Sequence, residues 1–174
     1  TARSVELIRT HAEEWHCDAE RIVLCGFSAG GHLAASYAAL WNRGFIRNTL
    51  GLSAEMLRPN GAILCYPVIT SGDFAHRYSF DALLGKRRDS AEMLRLVSVE
   101  EQVGGDVPPM FIWHTFSDDT VPVENALKMA DALAAYKIPV ELHIFPKGGH
   151  GLSLCDERTT SCSYGIQSDC AVWM

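Results

Sequence analysis

Three places along this chain hold the residue types that together make a hydroxyl nucleophilic. A serine lies between glycines in Gly26-Phe27-Ser28-Ala29-Gly30, an acidic pair follows at Asp118-Asp119, and Gly148-Gly149-His150-Gly151 comes later. A serine hydroxyl attacks poorly until a base takes its proton. A histidine base in turn needs a carboxylate to fix its tautomer and stabilise its cation. A set of this kind runs acyl transfer through a covalent intermediate. The bare G-x-S-x-G pattern is weak evidence; a strand before it and a helix after it are what give it meaning. The opposing reading is a glycine-rich turn that merely packs closely or holds an anion.

The surrounding residues supply that context. Ile22-Val23-Leu24-Cys25 is a short apolar run, and the alanine-rich segment from Leu33 to Leu40 follows the turn. Ser28 is therefore expected at the apex of a strand–turn–helix, with Ala29 N–H free to meet a developing oxyanion. Side chains at either flanking glycine are expected to collide with the strand or helix. Asp118 and Asp119 both follow the buried-strand pattern Met110-Phe111-Ile112-Trp113-His114, and His150 follows Val140 to Phe145. Loops after strand ends are where parallel-sheet enzymes keep reacting groups. The order serine, acid, histidine selects His150 as base, with an accessible, mobile ring. His114 precedes the acid, His143 lies inside a strand, and His32 sits on the helix after the serine, where it packs or caps. His11, His16 and His76 have polar surroundings.

Strands near residues 21–26, 61–67, 109–115 and 140–145 alternate with helices, which argues for a parallel sheet. An opening helix running to Cys17 places Val5, Ile8, Ala12 and Trp15 on one face. Ala34, Ala35, Ala38 and Ala39 let the helix after Ser28 approach the sheet. Pro122 suits the first turn of a helix that repeats apolar residues at Ala126, Leu127, Ala130, Leu133 and Ala134. Residues 69–107 are irregular, with helices near Phe80 to Leu84 and Ser90 to Leu96. The whole chain, 1–174, reads as a single α/β domain.

With 174 residues and net charge −6, the chain carries one basic run, Lys86-Arg87-Arg88, which reads as a solvated loop rather than a nucleic-acid site. No apolar stretch approaches the length of a membrane span. Cys25 and Cys65 read as buried thiols in strands, which favours a reducing, cytoplasmic setting. Cys155, Cys162 and Cys170 lack C-x-x-C spacing, so no metal is expected, and a disulfide among them stays open.

Landmarks along nearly the whole chain resemble the α/β-hydrolase esterases grouped with acetyl-xylan and other carbohydrate or feruloyl-type esterases. They include Ile8 to Trp15, Gly26 to Ala35, Cys65-Tyr66-Pro67-Val68-Ile69 and Pro108-Pro109 leading to Trp113-His114-Thr115. Val121-Pro122-Val123-Glu124-Asn125 and Phe145-Pro146 with Gly149-His150-Gly151 continue the match. The resemblance implies an α/β-hydrolase fold and a Ser28–His150–Asp118 triad. In that family two residues and then Val-Pro follow the acid, which fits Asp118 and not Asp119. It further implies hydrolysis of short acyl esters on carbohydrate, without metal or cofactor. The expected partner is a small-molecule or carbohydrate ester, with no nucleic acid and no membrane, and oligomeric state left open. Alternatives are a prolyl-oligopeptidase-like peptidase and an inactive fragment.

Related enzymes also carry roughly a hundred residues ahead of this segment, with the first strands and a His-Gly-Gly-Gly-type loop that gives a second oxyanion N–H. Nothing like that loop stands before Ser28. The chain therefore reads as a fragment, cut at its N-terminus and inside a last helix at Ala171-Val172-Trp173-Met174. Alone it is expected to bare Ile22, Val23, Leu24 and Cys25 as an apolar edge, and to be poorly soluble and nearly inactive.

Overall fold

The computed structural model describes residues 1–156. Its centre is a parallel sheet of β1 (Val23–Phe27), β2 (Gly61–Cys65), β3 (Met110–Thr115) and β4 (Val140–Phe145), in the order β1-β2-β3-β4. Val23 pairs with Gly61, Ala62 with Met110, and Met110 with Val140. Parallel neighbours need long crossovers, and each crossover here contains helix. α1 (Ala2–Thr10) precedes β1. α2 (Ala29–Leu40), α3 (Gly44–Leu50) and α4 (Ala54–Leu57) join β1 to β2. α5 (Arg77–Leu84) and α6 (Ala91–Val97) join β2 to β3, and α7 (Glu124–Ala135) joins β3 to β4. The two short helices α3 and α4 had no counterpart in the sequence reading.

Strand residues alternate between faces. One face carries Ala62, Leu64, Met110 and Ile112, and packs against Ala34, Ala35, Ala38 and Ala39 of α2 and Ala126, Met129 and Leu133 of α7. Four alanines with no side chain beyond Cβ let α2 lie close to β1 and β2. The opposite face gathers Cys65, Tyr66, Trp113, Phe145, Leu152 and Cys155 near the strand C-termini. Toward the other end of that face, Val23 is 51% exposed and Ile63 is also exposed.

Several expectations change. The opening helix stops at Thr10, and Ala12 to Cys17 close a Schellman-type turn. Cys17 N donates to Ala12 O and His16 N to Glu13 O, with His16 at φ +53°. Val5 and Ala12 are buried, but Trp15 is exposed and stacks on His11. In α7 the buried stripe is Asn125, Ala126, Met129 and Leu133. Leu127 and Ala134 face outward, because Asn125 takes an inward position that an apolar count passes over. Pro122 lies just ahead of the N-cap, Val123. Ile22 is buried against Val5, Tyr37, Trp41 and Leu57, so it is not part of a bare edge. Cys25 is exposed rather than buried, since its side chain shares the open face with Val23. Cys65 is buried, which pushes its thiol up to about 11. Cys155 is buried and disulfide-bonded. Cys162, Cys170 and the expected terminal helix lie outside the described residues. Among the described residues, no helix is long and apolar enough to cross a membrane.

Asn125, with no solvent exposure, ties two crossovers together. Its Oδ1 accepts from Ile69 N at 2.8 Å and Thr70 N at 3.0 Å. Its Nδ2 donates to Phe74 O at 3.0 Å and Pro122 O at 2.9 Å. Replacing Asn125 by leucine keeps the volume and strands these groups. Asn125→Leu should lose about 3 kcal/mol of stability, as measured by urea unfolding; a loss below about 1 kcal/mol would mean water replaces the amide.

Candidate active site

Ser28 occupies the turn between β1 and α2 with φ 52° and ψ −118°, a conformation that side chains rarely adopt. Three backbone bonds hold it there. Ser28 N donates to Cys65 O at 3.0 Å, while Ser28 O accepts from His32 N at 3.1 Å and Val68 N at 3.2 Å. A Cβ on Gly26 would lie 2.1 Å from Gly30 O, and one on Gly31 would lie 2.8 Å from Pro67 Cβ. Gly30 differs from expectation. It is exposed, and a Cβ there would meet nothing within 4 Å, because the collision falls on Gly26 against Gly30's own backbone. Ala29 is the first residue of α2, so its N–H has no acceptor within the helix.

Ser28 Oγ lies 2.7 Å from His150 Nε2, and His150 Nδ1 lies 2.7 Å from Asp118 Oδ2. The structure thus brings Ser28, His150 and Asp118 into one hydrogen-bonded chain at the C-terminal edge of the sheet. Asp119 is exposed and accepts from Thr120 Oγ1 instead. The Asp118 carboxylate is buried; Oδ1 accepts from Thr120 N at 3.0 Å and Val121 N at 2.9 Å. His114 Nε2 passes 3.3 Å from Oδ2, though its better-aligned bond runs to Val121 O at 2.9 Å. Burial opposes ionisation of Asp118. The bonds from His114, His150 and Val121 N–H, together with the His150 charge, outweigh it and hold the carboxyl well below the usual carboxylate range.

The His150 loop and ring both have bonded neighbours. Its loop is stitched to the end of β3: Gly148 O accepts from Thr115 Oγ1 at 2.9 Å and Ser117 Oγ at 3.1 Å, and Gly148 N donates to Ser117 Oγ at 2.9 Å. Tyr66 packs edge-on against the imidazole with centroids 5.0 Å apart, and its hydroxyl accepts from Ser153 N at 2.9 Å. The sequence reading gave no role to Tyr66, Ser117 or Asn125, though Tyr66 and Asn125 stand in landmark segments of the resemblance. The available hint was Tyr66-Pro67 directly after a strand.

The other histidines are placed elsewhere. His32 bonds Val97 O at 2.8 Å and meets Phe80 edge-on; burial is the main influence on its ring and lowers its pKa. His143 pairs with Glu141 on the exposed side of β4, His11 with Glu14, and His76 with Ser79. Beside Ala29 lies an apolar cavity of about 470 Å³, walled by Leu33, Val68, Phe80, Leu83 and Leu96.

A family model described as BD-FAE matches residues 1–133. The chain belongs to the BD-FAE family. Endo-1,4-beta-xylanase B of Butyrivibrio fibrisolvens is 40% identical over 158 residues, covering 90% of this chain and 24% of the xylanase. The acetylxylan esterase of Xylanibacter ruminicola is 29% identical over 149 residues, covering 83% of this chain and 28% of the esterase. Among solved structures, the acetyl ester-xyloside bifunctional hydrolase of Caldicellulosiruptor lactoaceticus superposes with a TM-score of 0.78 at 40% identity. That match covers 88% of this chain and 56% of the hydrolase. The fold of this BD-FAE chain is that of the α/β-hydrolase esterases. It spans about a quarter of the length of the curated relatives it matches.

Two measurements follow. Gly30→Ala should be neutral or stabilise by up to about 1 kcal/mol, whereas Gly26→Ala and Gly31→Ala should each lower the unfolding midpoint; equal losses at all three would refute the close contacts. Asp118 has a lowered folded-state pKa, so the unfolded chain binds the extra proton as pH falls. Its stabilisation is complete above the unfolded value of about 4 and drains away below it. Unfolding free energies from pH 5 down to pH 2 should therefore fall more steeply in the wild type than in Asp118→Asn; parallel curves would remove Asp118 as the cause.

Proposed function

We propose that this chain hydrolyses carboxylic esters through Ser28, His150 and Asp118, with short acyl groups, acetyl first, on carbohydrate as the substrate class. The observation that carries the reading is the continuous 2.7 Å and 2.7 Å chain from Ser28 Oγ through His150 to Asp118, starting at a strained strand–helix turn. His150 Nδ1–H donates to Asp118, which leaves Nε2 as the lone-pair acceptor facing the serine. Ser28 Oγ attacks the ester carbonyl as Nε2 takes its proton. The carbonyl oxygen becomes an oxyanion and accepts from Ala29 N–H, at the positive end of α2. Collapse breaks the bond to the alcohol, which leaves with the proton from Nε2. Water, deprotonated by the same nitrogen, then releases the acid and restores Ser28.

The relatives' names support the substrate class, since two of them speak of acetylxylan or acetyl ester-xyloside hydrolysis. The cavity beside Ala29 supports an acyl group entering on an apolar wall while the sugar stays at the open side.

In the full-length protein, Ser28→Ala or His150→Ala should reduce turnover of a chromogenic acetate ester by several orders of magnitude, on the order of 10⁶-fold in a comparable triad. Asp118→Asn should do far more damage than Asp119→Asn. Acetylated xylo-oligosaccharide should be cleaved and short proline peptides left intact. Retained activity in Ser28→Ala would end this reading, and preference for the peptide would move the chain to the peptidases.

A further inference from the structure

His114 takes no part in that proton path, yet it sits beneath the acid with no exposure to solvent. It lies on β3, four residues ahead of Asp118. Its Nε2 is 2.9 Å from Val121 O and 3.3 Å from Asp118 Oδ2. A carbonyl oxygen only accepts, so Nε2 carries the ring proton and Nδ1 is bare. Nδ1 is buried and has no hydrogen-bond partner among the described residues. An unpaired buried acceptor is a burden on the fold, and phenylalanine would fill the same space without it. What phenylalanine lacks is the N–H.

We infer that His114 is a positioning residue for the acid: its Nε2–H clamps the Val121 carbonyl and lays its dipole beside Asp118 Oδ2. The inference rests on the proposed roles of Ser28, His150 and Asp118. The clamp closes a small cycle. Asp118 Oδ1 holds the N–H groups of Thr120 and Val121, and His114 holds the carbonyl at the end of the same turn. Rotation of the carboxylate would break the Oδ1 bonds from Thr120 and Val121 N–H and the Oδ2 bond from His150, and the clamp on Val121 O holds the turn that presents those N–H groups. The dipole has a separate effect, because it shares Oδ2 charge that otherwise falls wholly on His150. The titratable groups facing Asp118 are His114 from β3, His150 from the loop after β4 and Tyr66 from the end of β2. Of these, His150 bonds Oδ2 directly, while His114 Nε2–H, bonded to Val121 O, lies 3.3 Å from the same oxygen.

The test compares His114→Phe, which keeps the volume and loses the donor, with His114→Gln, which returns an N–H near the Nε2 position. In the full-length protein, His114→Phe should lower kcat on a chromogenic acetate roughly tenfold to a hundredfold with little change in KM, as expected for a slightly misplaced base. The acid limb of kcat/KM should move to higher pH by about half a unit, because the freed carboxylate stabilises the protonated base more strongly. His114→Gln should recover most of the loss and return the limb. A change in packing alone would leave the limb in place. Should His114→Phe fail to fold, long-range ¹⁵N–¹H spectra of the wild type decide: a protonated Nε2 and bare Nδ1 are expected, and the opposite tautomer overturns the clamp. If Ser28→Ala abolishes turnover while His114→Phe moves neither kcat nor the limb, the clamp is wrong and the triad stands. If Ser28→Ala remains active, the proposed function fails and this inference falls with it.

Discussion

The close approach of β1 to the first turn of α2 is the constraint from which the rest of the site follows. With φ 52° at Ser28, the chain reverses so sharply that Gly26 and Gly30 come within one carbon atom's reach. A residue in such a region costs about 1–3 kcal/mol and persists only when its surroundings over-determine it. Here they do. Ser28 N–H extends the β1–β2 ladder to Cys65, and its carbonyl takes N–H groups from both α2 and the loop after β2. The strain is thus shared with the sheet, and its product is a hydroxyl raised above the strand ends beside an unclaimed helix amide. Buried alanines behind the turn are the second half of the same constraint, since any larger side chain there would push α2 off β2 and open the elbow.

A second strained residue stands directly across. Tyr66, at φ 37°, follows β2 as Ser28 follows β1, and Phe27 and Cys65 pair in the ladder just before them. Tyr66 N–H is fixed by Trp113 O at 2.7 Å. Its ring therefore faces the His150 imidazole, and its hydroxyl ties down the chain beyond that histidine. His150 is located by two strands it does not belong to, β2 through Tyr66 and β3 through Thr115, Ser117 and Asp118. A histidine on a glycine-flanked loop is free in isolation and ordered here by these contacts.

The sheet, its four strands and the helix α7 were legible because parallel strands buried on at least one face leave continuous apolar runs, and the segment before β4 leaves a helical period. The serine turn was legible because its glycines carry a backbone requirement. Even so, the second requirement was assigned to Gly30 when it falls on Gly31, since which backbone meets which Cβ is a matter of three-dimensional approach. Asp118 and Asp119 have the same chemistry and adjacent positions. Only the turn that aims one carboxylate inward separates them, and sequence spacing reached that distinction through a resemblance rather than through physics. Tyr66, His114 and Asn125 remained hidden for a common reason. Each acts by a side-chain bond to a main-chain group, from seven residues away for His114 to more than fifty for Asn125 and Tyr66, and such bonds leave no periodic trace. Cys25 carried two readings, a buried thiol and a residue bared in the chain alone; Val23 and Cys25 are exposed as the second expects, and the first failed because an apolar strand residue looks buried in a sequence whether or not a layer covers its face.

Asn125 links these parts in one further way. The acid turn ends at Val121, α7 begins two residues beyond Pro122, and the buried amide of Asn125 reaches from there to Ile69, Thr70 and Phe74. Those residues open the crossover that continues into α5 and α6. That crossover supplies Phe80, Leu83 and Leu96 to the cavity beside Ala29. One side chain therefore fixes both the helix that follows the acid and the root of the cavity wall. Loss of its four bonds would loosen the hydrogen-bonded chain through Asp118 and the apolar wall together, while α2 and the serine turn, anchored through β1 and β2, would keep their geometry. The Ser28 hydroxyl is thus placed by local backbone constraint, and the groups around it are held at a distance by buried polar contacts.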